Sequence, residues 1–156
     1  MTRQRLWTYS EAVLAVPYLR SLVGSLRERW LDAQREPLQT RRMKAQPGRP
    51  DRQALIRQAE AAGEAEDQFH EVLGELEALG VSSLDTPQGL ALIPFRQGSD
   101  LAWFVFDLFS PRGLETWRLD EDPPETRRPL KPDHRLVDKV FSSSRFDLLP
   151  LRPGQP

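Results

Sequence analysis

The apolar positions form two long series with helical spacing, then a shorter, denser run with the spacing of strands. After Thr8 they recur as Ala12, Ala15/Val16, Leu19, Leu22/Val23, Leu26, Trp30 and Ala33. That interval is close to a heptad and predicts one apolar face along a long helix. Thr8-Tyr9-Ser10-Glu11 has the form of a capping box, and Trp7 stands where it can staple onto the first turns. Pro17 interrupts the pattern. It leaves two starts open: a helix from Thr8 that kinks at Pro17, or a helix that begins there. The second series is Leu55, Ala59, Ala62, Phe69, Val72/Leu73, Leu76 and Leu79, with Asp51 as its cap and Gly80 as a left-handed C′ residue. Between the two, Pro37, Pro47, Gly48 and Pro50 make residues 35–50 read as a loop. The two series therefore predict an antiparallel helical hairpin.

The third stretch runs from Gly89 to Leu119. Leu101 to Leu108 is apolar at every position except Asp107. Alternation puts Leu101, Trp103 and Val105 on one face, and Ala102, Phe104, Phe106 and Leu108 on the other. A strand apolar on both faces is central and covered on both sides. Gly98-Ser99 and Ser110-Pro111-Arg112-Gly113 are turn chemistry, so the stretch predicts three antiparallel strands, 89–95, 100–109 and 114–120. Pro94 has no N–H to give, which makes the first of them an edge or ends it there. The predicted fold class is α+β: a long hairpin packed on a small three-stranded sheet. The domain covers 1–130, and 131–156 is an extended tail with one short helix capped by Asp133. Phe146, Leu148, Leu149 and Leu151 are apolar for a free tail; they either dock on the domain itself or form a linear motif for a partner.

Charge changes this picture in one respect. The net charge is −1, yet residues 1–50 hold ten Lys/Arg against four Asp/Glu, and residues 51–79 hold two against eight. A basic first helix beside an acidic second one reads as complementarity within a hairpin. The competing reading is a phosphate-binding loop for RNA or a ribosome, formed by Arg35, Arg41, Arg42, Lys44 and Arg49, with 127–135 as a second basic segment. No aromatic residue is interleaved there to stack bases.

Composition narrows the chemistry. With no cysteine there is no disulfide, thiolate nucleophile or Cys-ligated metal, and 14 prolines with 38% hydrophobic residues leave part of the chain outside any core. No signal-like or membrane-length apolar segment occurs, so the expectation is a soluble, cytoplasmic protein with no membrane contact. Asp67-x-x-His70 resembles half of a two-metal carboxylate motif, but helix one has no second half in register. His134 has no nucleophile beside it, and no phosphate loop, dinucleotide fingerprint or nucleophile elbow is present, so no cofactor or metal is expected. Asp107 is the one charge in the central strand. It is either paired with Arg118 on the next strand or a carboxylate poised for acid–base work, with Trp117 and Arg118 completing a polar site.

Laid out in order, these segments resemble the prokaryotic family catalogued as domain of unknown function 2203. The resemblance rests on Trp7-Thr8-Tyr9-Ser10-Glu11-Ala12, Pro17-Tyr18-Leu19, Leu79-Gly80, Gly89-Leu90-Ala91-Leu92-Ile93-Pro94, Trp117 and Arg128-Pro129-Leu130. It spans about residues 6–130 and implies a kinked helix from Thr8. The chain departs from the family at Leu92, where the family has Asp, at Phe106-Asp107, where it has Cys-Trp, and at Arg118, where it has His. The family's Gly-Glu in the turn after the central strand is absent as well. The resemblance supports the fold and implies no activity. The expected function is a non-enzymatic interaction module whose partner is a second copy, as a dimer joined through the hairpin, or another protein, with Trp30, Ala59 and Ala62 at the contact. The alternatives are the RNA-associated factor and a small enzyme at Asp107.

Overall fold

The structure is a computed structural model and describes residues 5–48 and 51–131. Helix α1 spans Tyr9–Ala45 and α2 spans Arg52–Ala78. Thr8 is extended and caps α1 as its sequence requires. Its hydroxyl accepts from the Glu11 N–H at 3.1 Å, and the Glu11 carboxylate accepts from the Thr8 N–H at 2.9 Å. The later start at Pro17 is thereby excluded.

The loop expected over 35–50 is instead helical to Ala45, and Pro37 lies inside the helix. Proline removes one backbone bond, but both Pro17 and Pro37 are exposed, so water can satisfy the carbonyl each one frees. The helix stops two residues before Pro47. Gln46 is extended at φ −66, ψ 141, the region that a following proline imposes.

Helix α2 is capped by Asp51, whose carboxylate accepts from the Gln53 N–H at 3.0 Å. It ends in a Schellman motif. The Gly80 N–H donates to Glu77 O and the Val81 N–H to Leu76 O, with Gly80 at φ +80. The hydrophobic partners of that motif, Leu76 and Val81, are both buried. The Trp7 indole donates to Leu79 O at 3.2 Å, which ties the N-terminal lead to the exit of α2.

The sheet has five strands, not three: β1 Ser82–Asp85, β2 Leu90–Gln97, β3 Asp100–Asp107, β4 Leu114–Leu119 and β5 Arg128–Pro129, all antiparallel and in sequence order. The two added strands are short and polar, and their places are set by the edges of β2 and β4. Gly98-Ser99 closes the β2–β3 hairpin, with Gly98 at φ +62 as the first residue of a two-residue turn. β1 pairs only with Leu90, Ala91 and Leu92. Pro94 lies beyond it, and its carbonyl accepts from the Trp7 N–H at 2.8 Å. The missing N–H therefore faces a gap in the ladder, and β2 continues through proline.

One face of the sheet, with Ala91, Ile93, Phe95, Ala102, Phe104 and Phe106, meets Leu19, Leu22, Val23 and Leu26 of α1 and Leu76 of α2 in a single core. Phe95 and Phe104 stack with ring centroids 3.9 Å apart, and Tyr9 meets Phe104 edge-on at 6.0 Å. Arginines of α1 hold the loops to the helix. Arg20 donates to the carbonyls of Leu108, Ser110 and Pro111 at 2.7–2.9 Å, and Arg27 donates to Pro87 O at 2.8 Å. No helix of the described chain is long and apolar enough to cross a membrane.

Candidate interaction surface

The helices outrun the sheet. No residue of α1 after Leu26 is buried, and none of α2 before Ala65. At 1.5 Å per residue the span from Arg27 to Ala45 reaches roughly 28 Å beyond the core. Its register is fixed by two bonds across the pair: Arg29 to Gln68 at 2.8 Å, and Gln58 to the carboxylate of Glu36. Gln58 also donates to the Glu36 carbonyl at 3.0 Å, a carbonyl that accepts from the Thr40 hydroxyl as well.

On that register Leu38 and Ile56 stand at the same level, 48% and 50% exposed. Trp30 and Ala33, both half-buried, lie at the level of the stretch Ala62–Ala65. Ala62 is half-buried, Ala65 buried and Ala59 exposed. Two helices alone give each apolar stripe one neighbour, so this arm keeps uncovered hydrophobic surface. Among the described residues no ion pair crosses the hairpin; those present are Arg5–Glu11, Arg35–Asp32, His70–Glu66 and Arg128–Asp122. Across the pair, the charged groups of Arg29 and Glu36 meet the side-chain amides of Gln68 and Gln58 instead.

The basic residues lie on a helix rather than a loop. Arg41, Arg42 and Lys44 are exposed on the last turns of α1, where cations also complement the helix dipole. Arg35 pairs with Asp32 at 3.4 Å, and Arg49 is outside the described residues. Arg127 donates to the carbonyls of Pro124 and Thr126. Arg128 pairs with Asp122, and Arg135, like Asp133, His134 and the short helix expected there, lies outside the described residues.

The polar site expected at Asp107, Trp117 and Arg118 is not assembled. Asp107 stands opposite Leu90, and Arg118 opposite Trp103, four residues away along β3. At about 3.3 Å per residue the two are roughly 13 Å apart, so the expected Asp107–Arg118 pair does not form. Asp107 instead accepts from the Phe109 N–H at 2.9 Å and shapes the turn that follows. Trp117 is on the helix-facing side, edge-on to Phe95, and its indole donates to Pro129 O. Arg118 is on the other side and donates to the Asp122 carbonyl.

Asp122 was missed by sequence reasoning, because its role depends on the turn after β4. Its carboxylate accepts from Arg128 Nε and Nη2 at 2.8 and 2.9 Å and from the Leu119 N–H at 2.8 Å. The hydrogen bonds from Arg128 first, and that from Leu119 next, lower its pKa from 3.8 to about 2. Arg128 also lies 5.4 Å from the Trp117 ring centroid, so the network pins β5 to β4.

A groove of about 630 Å³ runs between the start of α1 and the β4–β5 edge, lined by Tyr9, Val13, Leu114, Leu130, Arg112 and Glu115, with Lys131 at its rim. Among the described residues, no three His, Cys, Asp or Glu side chains gather as a metal site. No family model, curated protein or solved structure matches the chain.

Proposed function

We propose that this protein is a non-enzymatic interaction module that self-associates through the projecting hairpin. The observation that carries the reading is the arm itself: about five turns of α1 past the last buried residue, with Leu38 and Ile56 half-exposed at the same level. A second copy is the partner best matched to it. Two copies bring the same half-exposed apolar side chains to one contact, and charge does not oppose it: α1 from Arg27 to Ala45 holds six Lys/Arg against three Asp/Glu, and α2 from Arg52 to Ala65 two against two. The contact would be a four-helix bundle with a two-fold axis, closed at the dimer. The resemblance to the uncharacterised prokaryotic family described above belongs to the same proposal.

Light scattering on the eluting protein tests it. The wild type should elute with twice the chain mass. Leu38→Glu/Ile56→Glu should elute as a folded monomer with unchanged far-UV circular dichroism. A wild-type monomer at tens of micromolar would sink the reading. A second reading is favoured by one observation, that Arg41, Arg42 and Lys44 are exposed together at the tip of α1. It makes the tip a contact for RNA phosphates, and it requires binding that weakens steeply with salt.

A further inference from the structure

The sheet has a second face, and its burial needs a cover. On that face Leu92 is 9% and Val105 2% exposed, and Pro94 is fully buried. None of the three belongs to the core that the helices close, and alternation places them opposite Ile93, Phe104 and Phe106. Both described helices lie on the other side. Trp103 and Thr116 continue this face, half-buried.

Arg118 sits in the same face, 6% exposed. One of its terminal nitrogens reaches the Asp122 carbonyl, but its Nε is buried without an acceptor. The Asp122 carboxylate lies close enough for its charge to attract Arg118, but its hydrogen bonds go to Arg128 and the Leu119 N–H. A buried guanidinium N–H without an acceptor is costly, so the Nε calls for one.

We infer that Phe146-Asp147-Leu148-Leu149-Pro150-Leu151 of this same chain covers the second face of the sheet, with the Asp147 carboxylate on the Arg118 guanidinium. The composition fits: four large apolar side chains surround a single acid. The reach fits as well. The described chain ends at Lys131, just past β5 on the β4 edge, and 132–145 can span up to about 45–50 Å. Crossing from β5 to β1 takes only about 19 Å. Three layers result, helices, sheet and tail, which is what a central strand apolar on both faces requires. The tail is then an internal part of the fold, and a partner that captures it would have to uncover the sheet first.

The chain has no cysteine, so pairs can be placed at will. Full-length Thr116→Cys/Leu148→Cys, treated with a short bis-maleimide, should cross-link within one chain at least tenfold faster than Ala59→Cys/Leu148→Cys, whose first position is on the arm. Equal rates would overturn the inference. So would cross-linked dimers alone, which would assign the cover to a second copy's tail. A double-mutant cycle tests the ion pair without relying on any one variant folding well. Asp147→Asn should lower the melting temperature in the wild type and leave it nearly unchanged on an Arg118→Gln background. Equal shifts on both backgrounds would refute the pairing; if Arg118→Gln does not fold, no shift with Asp147→Asn alone would do so.

Discussion

Gly89 is the position at which one methyl group should do the most damage. It enters β2 at φ +71, and a Cβ there would sit 2.7 Å from Leu108 Cβ, 3.2 Å from Leu108 Cδ2 and 3.4 Å from the Phe109 ring. The approach cannot open freely, because the Leu108 N–H donates to the Gly89 carbonyl at 2.9 Å. Two costs therefore combine in Gly89→Ala. A left-handed backbone costs an L-residue about 1–2 kcal/mol. Overpacking against a fixed neighbour adds about 1–3 kcal/mol. Gly98 supplies the control: it is at φ +62, but a Cβ at that position would meet nothing within 4 Å. Gly98→Ala should therefore show the backbone cost alone, about 1–2 kcal/mol. Gly89→Ala should lose about 3–4 kcal/mol, of the order of 2 M in urea midpoint at unchanged slope. Urea titrations followed by far-UV circular dichroism make the comparison. If Gly89→Ala proved as mild as Gly98→Ala, the close packing of the β2 entry on the end of β3 would be wrong.

Other perturbations follow from single contacts. Arg20→Met keeps the aliphatic stem but loses three bonds to loop carbonyls that water can partly replace; about 2 kcal/mol should be lost in urea unfolding. Thr8→Ala removes the α1 cap and should lower stability by about 1 kcal/mol, read the same way. Asp122 is held at about 2 when folded, below its ordinary 3.8. It thus contributes stability that is fully present above about pH 4–5 and fades as pH falls toward 2. Melting curves of the wild type and Asp122→Asn should therefore differ at pH 6 and converge toward pH 2; a constant difference would contradict the Arg128 pairing.

What could be read from the sequence was local. Thr8 and Glu11 are three residues apart, and Leu79-Gly80 makes its cap within one turn, so both helix ends were legible. The alternation from Leu101 to Asp107 gave the central strand and its two apolar faces for the same reason. The misreadings needed a neighbour. Pro37 is a helix breaker in isolation, but α2 lies alongside, and Gln58 bonds both the carbonyl and the carboxylate of Glu36 just before it. Ser82–Asp85 and Arg128–Pro129 carry no strand periodicity; the edges of β2 and β4 make them strands. The candidate pair of Asp107 and Arg118 failed on register, because a bulge between Val105 and Phe106 and the position of the hairpin turns set which residues face each other. Arg20 and Arg27 bond backbone carbonyls, and such acceptors leave no trace in the sequence.

The claim that the arm is a self-association surface is tested most directly by hydrogen exchange on the full chain across a hundredfold dilution. Backbone amides of residues 30–45 and 52–64 should be protected at high concentration and lose protection on dilution, while those of β2 and β3 stay the same. Arm exchange that is independent of concentration, alongside an unchanged sheet, would contradict the account.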